Sequence, residues 1–265
     1  MFDFLIDSHC HFKLMEEEGL AIEDVVNLAK KNGIKVLNNI CTKIDEVEEV
    51  IQMSSLYDNV FCSVGHHPEE VNNKVATSDE LLVYTNNPKV VAIGESGLDY
   101  HYDGYDKSKQ KQNFEAHIET SRKSHLPLVI HSRDADSDMI DILKSEMKNG
   151  AFEFVLHCFS SGKELAYTGL DLGGYISFSG IVTFGKATDL QNIARTVPIN
   201  RIIVETDSPF LVPTPFRGKV KVNQPMYVKN TAEFLASLFG IDFLDVCDIT
   251  TNNCLRLFSK MKISQ

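Results

Sequence analysis

Eight short apolar runs, separated by segments of helical period, constrain the fold of this chain more than any other feature. The runs span 4–7, 34–40, 60–64, 90–93, 128–130, 152–156, 175–178 and 202–204, and each has the β-branched and aromatic content of a brief strand. Helical periodicity fills 22–32, 44–57, 79–86, 108–125, 135–149, 163–172 and 186–196, and two further helices are expected over 226–239 and 243–261. Strands that alternate with helices pair in parallel, because a parallel neighbour is reached only through a long crossover. Eight such units consume essentially all 265 residues, close to the roughly 250 of a (β/α)8 TIM-type barrel, so one α/β domain over 1–265 is expected. An open doubly wound sheet has the same alternation, but eight strands and the lack of a Gly-x-Gly-x-x-Gly turn after the first run weigh against it. Local punctuation agrees: Thr42 ahead of Asp45 reads as a capping box, and Asn32-Gly33 as a helix stop.

Composition narrows the setting. The first residues carry acids where a secretory signal carries bases, and no apolar stretch approaches the roughly 20 residues that span a bilayer, so a soluble cytoplasmic protein is expected. The six cysteines are scattered without C-x-x-C pairing and read as reduced thiols. Cys10 and Cys158 adjoin histidines, and strand alternation predicts that both point to the opposite face as small buried spacers. With 26 basic and 37 acidic residues the net charge is −11, which excludes a protein that coats nucleic acid by bulk electrostatics. A nuclease stays open, because divalent cations neutralise a local acidic site. Arg217, Lys219 and Lys221 form a local basic cluster after the eighth strand, readable as a substrate contact or as a solvated loop.

In a barrel of this kind the working residues stand at the C-terminal strand ends. His9, His11, Glu95, His131, His157 and Asp207 all fall there. His9 and His11, two residues apart, project to one side and can clasp a cation; Asp7, one step deeper, either orients a ligand imidazole or anchors the strand end. Glu95 follows Gly94 and offers two oxygens that can bridge two cations. His131 and His157 can share a second ion, and Asp207 closes the set. Any one of these histidines alone is as readily a buried, hydrogen-bonded core residue; the six together argue for metal. Such a shell suits Zn²⁺, Mn²⁺ or Mg²⁺, with paired ions roughly 3.5–4 Å apart, and Asp207 is placed to accept the proton of an attacking water. The chemistry expected is hydrolysis.

Seven fragments in order then resemble the TatD-type metal-dependent deoxyribonucleases of the amidohydrolase superfamily. They are Asp7-Ser-His-Cys-His11, Val64-Gly-His-His-Pro68, Ala92-Ile-Gly-Glu-Ser-Gly-Leu-Asp-Tyr100, Leu126-Pro-Leu-Val-Ile-His-Ser-Arg-Asp-Ala135, His157-Cys-Phe-Ser160, Glu205-Thr-Asp-Ser-Pro209 and Pro213-x-Pro-x-Arg-Gly218. The resemblance implies a TIM-type barrel with two divalent metals and hydrolysis of DNA phosphodiesters, often from a 3′ end. It implies that His9, His11, Glu95 and Asp207 hold one metal, and Glu95, His131 and His157 the other, with Glu95 and Asp207 catalytic. Arg133 and Arg217 would then face substrate phosphates, where the alternative is a structural salt bridge. His67 would touch substrate or stabilise its turn, and Glu205 would stand behind the ligands. Tyr100 and Phe159 would stack a base or pack the barrel top.

The chain departs from the family pattern at Glu69, at Gln224 in a lengthened basic loop, and at Lys186, one position later than usual; all three are expected at the substrate rim. Two rivals use the same residues. One is an amidohydrolase-type reaction on a small amide, ester or lactone, or on the ester of a D-aminoacyl-tRNA; the other is a binding protein that has lost catalysis, against which the intact ligand set speaks.

Overall fold

The computed structural model describes residues 1–263. Eight parallel strands form one sheet in the order of the sequence: β1 Leu5–Cys10, β2 Ile34–Asn39, β3 Val60–Val64, β4 Val90–Asp99, β5 Leu128–Arg133, β6 Phe154–Leu156, β7 Tyr175–Phe178 and β8 Ile202–Val204. The segment after β8 meets β1 through a parallel bridge between Cys10 and Ser208, where the Asp207 amide donates to His9 O (2.9 Å) and the His11 amide to Ser208 O (2.9 Å). The barrel is thus closed at the mouth by the residues that flank its candidate ligands. The expected (β/α)8 architecture holds and the open sheet does not.

Apart from the first, which is not expected, the helices follow the expected pattern with ends shifted by a few residues. They are α1 Phe12–Glu17, α2 Ile22–Lys31, α3 Val47–Ser55, α4 Ser78–Leu82, α5 Lys107–Ser124, α6 Asp136–Asn149, α7 Lys163–Asp171, α8 Thr188–Ala194, α9 Val228–Phe239 and α10 Phe243–Leu257. Gly33, at φ +84°, ends α2 as expected from Asn32-Gly33. The capping box expected at Thr42 does not form; Lys43 starts a short 3₁₀ turn without a side-chain cap. The box is instead at Thr77, whose hydroxyl accepts from the Glu80 amide (3.3 Å) while Glu80 accepts from the Thr77 amide (2.9 Å).

Two apolar clusters follow from strands buried on both faces. One lies between the strands and the surrounding helices and includes Leu5, Leu37, Ile93, Phe114 and Phe178. The other fills the barrel with Ile6, Val36, Phe61, Val91, Val129 and their neighbours, joined by Leu257 and Phe258 at the end of α10. A packed interior leaves only the C-terminal mouth free to hold a site.

Candidate metal centre

The strand ends bring all six candidate ligands together. The Nε2 atoms of His9 and His11 stand 3.1 Å apart, with Asp207 Oδ1 at 3.6 and 3.3 Å and Glu95 Oε2 at 3.2 and 3.8 Å. The other oxygen of Glu95, Oε1, faces His157 Nε2 at 2.6 Å, His131 Nδ1 at 2.9 Å and His67 Nε2 at 3.5 Å. One carboxylate therefore addresses two clusters, one oxygen to each. His157 lies between the clusters, its ring stacked on that of His9 at 3.9 Å. Three sets of donor atoms lie within 4.8 Å of one another: His9, His11 and Asp207; His9, Glu95 and His157; and His67, Glu95 and His131.

Glycine makes this approach possible. Gly94 has φ +116° and Gly97 φ +152°, and a Cβ would lie 2.6 Å from Val129 O at the first and 1.9 Å from His131 O at the second. Around a register shift, β4 thus lies close against β5, which sets Glu95 beside His131.

Partners behind the ligands assign their tautomers. His11 Nδ1–H donates to Ile40 O (3.3 Å), His157 Nδ1–H to Glu205 Oε1 (3.2 Å), and His131 Nε2–H to Asp99 Oδ2 (2.8 Å). Each leaves the opposite ring nitrogen as a lone pair aimed at the centre. His157 Nε2 is buried, has no hydrogen-bond partner and faces a carboxylate oxygen 2.6 Å away. Two lone-pair donors at that distance need a proton or a metal cation between them, and mixed imidazole and carboxylate donors suit a borderline or hard divalent ion. The residues fit a metal.

The electrostatics agree. Burial alone would raise the Glu95 carboxyl, but His157, His67 and His9 hold it well below the usual range. Burial disfavours charge on His157, yet Glu95 and Glu205 push its pKa well above the ordinary value. Asp207 is lowered in the same way, against its burial, by His11, His9 and His157. A field that favours an imidazolium here favours a bound cation equally.

The supporting residues fall among the alternatives the sequence leaves open, except Cys158. Asp7 touches no imidazole; it accepts from the Thr206 amide (2.8 Å), the Thr206 hydroxyl (2.6 Å) and the His9 amide (3.3 Å), so it anchors the strand end. Burial pushes its pKa up to about 8 despite those donors. Glu205 is buried and accepts from the Cys158 amide (2.6 Å) and the Ser177 hydroxyl (2.6 Å) as well as from His157. Cys10 points away to Asn38 O (3.4 Å) as expected, but Cys158 does not. β6 ends at Leu156, Cys158 has φ +42°, and its thiol lines the cleft, so strand alternation no longer applies there. Tyr100 donates to Asp138 (2.6 Å) and Phe159 is buried, so both pack rather than stack.

The mouth opens into a cleft of about 640 Å³. Arg133 lines it half-buried, 5.1 Å from the Tyr102 ring, and no carboxylate among the described residues pairs with it within 4.0 Å. Arg217 is not in the cleft lining; its guanidinium lies exposed over the Phe184 ring at 3.8 Å. Of its basic neighbours, Lys221 is paired with Glu18 (2.9 Å). His67 faces the centre and also serves its turn, accepting from the Glu69 amide (3.2 Å). Among the three departures from pattern only Glu69 reaches the cleft; Lys186 is exposed and Gln224 half-buried, both outside the lining, because their loops fold away from the mouth. Sequence reasoning missed Asp99, Tyr102 and Phe210, which line the cleft. Asp99 shares strand parity with Glu95, and that signal was available had the strand been carried through Gly97.

A nearly closed eight-stranded parallel barrel with a histidine and carboxylate centre at its mouth defines a metal-dependent hydrolase. Within that class the chain belongs to the TatD family, whose model, described as "TatD related DNase", matches residues 6–259. An Escherichia coli K12 relative, described as the uncharacterized metal-dependent hydrolase YcfH, is 40% identical over 96% of each chain. The Bacillus subtilis metal-dependent hydrolase YabD, also uncharacterized, is 36% identical over 96% of this chain and 98% of its own. The crystal structure of YJJV, a TatD homolog from Escherichia coli K12, superposes with a TM-score of 0.87 over 98% and 99% of the two chains at 24% identity, which bears on the fold.

Proposed function

We propose that this chain is a deoxyribonuclease that hydrolyses phosphodiester bonds from the 3′ ends of DNA with two divalent ions, Mg²⁺, Mn²⁺ or Zn²⁺. The observation that carries the reading is Glu95, whose two oxygens face separate ligand clusters, with the guanidinium of Arg133 at the mouth above them and no carboxylate within 4.0 Å of it among the described residues. His9, His11, Asp207 and Glu95 would hold one ion; Glu95, His131 and His157 the other. When bound, such ions supply Lewis acidity and lower the pKa of water at the centre. Asp207, at the open side of the centre, accepts the proton of the attacking water. Arg133 gives a phosphate two parallel hydrogen bonds. His67, whose Nδ1 accepts from the Glu69 amide and whose Nε2 lies 3.5 Å from Glu95 Oε1, lines the cleft and would touch substrate there. Arg217, over Phe184, serves only a strand that leaves the cleft in its direction. With a net charge of −11, attraction of a polyanion rests on local cations at the mouth and on the metals. Six free thiols, five of them buried, support a reducing cytoplasmic setting.

The test is a metal-supplemented assay of the purified protein on labelled 3′-recessed, 5′-recessed and blunt DNA, beside small esters and lactones and a D-aminoacyl-tRNA. Release of nucleotides from accessible 3′ ends is the expected result. Turnover of the small esters or of the aminoacyl ester without DNA cleavage would replace the nuclease reading by another hydrolysis at the same centre.

A further inference from the structure

Helix α5 buries polar residues where an amphipathic helix would bury apolar ones. Gln110, Asn113 and His117 lie at i, i+3 and i+7, hence on one face, and each is fully buried. Buried amides and imidazoles are costly unless their hydrogen bonds are met, and here every polar atom is met by a particular partner. Gln110 accepts from the Asp99 amide (2.9 Å) and donates to Asp99 O (2.8 Å). Asn113 donates to His66 O (2.7 Å) and to the Ser96 hydroxyl (3.1 Å), and accepts from the Ala76 amide (3.1 Å). His117 donates through Nδ1 to Asn113 O (2.7 Å), so that Nε2 accepts from the His66 amide (3.0 Å). The partners are no random sample of backbone. Ser96 and Asp99 follow Glu95 on the same strand, His66 precedes His67, and Asp99 in turn orients His131 (2.8 Å).

We infer that Gln110, Asn113 and His117 are positioning residues for the metal centre: they set the backbone that carries Asp99 and His67 and, through Asp99, the ring of His131. The inference rests on the metal reading of the site, and it concerns one half of the centre only. His9, His11 and Asp207 hang from β1 and from the segment after β8, neither of which α5 grips.

A site-resolved metal measurement separates positioning from mere support of the fold. Crystals of the wild type, of Gln110→Met and of Phe114→Leu are equilibrated with graded Zn²⁺, and anomalous density is followed at each of the two metal positions. Phe114 is a buried apolar residue of the same helix and serves as a control matched for loss of thermal stability. Gln110→Met is expected to weaken the position beside His131 by about 10-fold, the low end for residues behind metal ligands, and to change the position beside His9 and His11 by less than about 2-fold. Should Gln110→Met fail to fold, Gln110→Asn keeps both polar atoms one methylene short and is expected to show the same one-sided loss. Equal loss at both positions, or no more loss at the His131 position than in Phe114→Leu, would overturn the inference. Wild-type crystals without metal at either position would overturn it together with the metal reading, and so are told apart from it.

Discussion

At the scale of the residue, the proposed chemistry turns on Glu95, because its two oxygens face different clusters. Glu95→Gln keeps the shape but replaces one oxygen with an amide nitrogen that repels cations. Both metal positions are expected to empty, with turnover lost, and elemental analysis of the purified variant checks it; full occupancy with normal rates would contradict the bridging role. Arg133→Ala tests substrate instead of metal. Loss of a charge-assisted phosphate contact is expected to slow DNA hydrolysis by about 10- to 150-fold, or about 1.5–3 kcal/mol, with metal content unchanged and a smaller loss on a chromogenic phosphodiester without flanking nucleotides. His117 supplies a different prediction, on stability. Burial lowers its pKa to about 4, against 6.5 for the free group. Between those values the unfolded chain binds the extra proton, so stability rises with pH there. The contribution is fully present above pH 6.5 and is lost as pH falls toward 4, about 3 kcal/mol in all. Urea unfolding of the wild type and His117→Gln from pH 7.5 to 4.5 should show the wild type losing more over that window; parallel curves would contradict it.

At the scale of the element, β4 decides how the centre is assembled. A Cβ at position 97 would sit 1.9 Å from His131 O, so Gly97→Ala must push β4 off β5. The expected outcome is a loss of about 2–3 kcal/mol in denaturant unfolding together with weakened metal binding, since Glu95 and His131 face each other across that seam; an unchanged midpoint would show that the strands can separate freely. The same strand shows what sequence reading can reach. The eight apolar runs were legible because each strand is buried on both faces, and the ligands were legible because they end those runs. The run at 90–93 stops short of the observed Val90–Asp99 because Gly94, Ser96 and Gly97 lack strand character, and the two glycines are there for close approach to β5. His131 likewise falls inside β5 and not after it. The short helix Phe12–Glu17 carries too few residues for a period to show, and its burial of Phe12 and Met15 emerges only in the fold. The polar face of α5 reads as ordinary helix, since nothing in the local pattern says that Gln110, Asn113 and His117 are buried. Arg217 was placed by motif, and a motif does not state which way a loop turns.

At the scale of the whole molecule, the core and the centre are separate. The interior cluster fills the barrel and α10 joins it, while the candidate ligands stand at the mouth. Chelation is therefore expected to abolish turnover and leave far-ultraviolet circular dichroism intact, with activity restored by added metal; collapse of the fold would mean that the ions are structural. No helix among the described residues is long and apolar enough to cross a membrane. The central proposal is that this centre hydrolyses a phosphodiester with two divalent ions, which Glu95 and the residues around it would hold. Its most direct test starts from metal-free protein, adds Mn²⁺ in steps, and measures bound metal and the rate on a labelled oligonucleotide in the same samples. The rate should be absent without metal and reach its plateau at about two bound ions per chain. Turnover by metal-free protein, or a fully loaded centre that leaves the oligonucleotide intact, would contradict it.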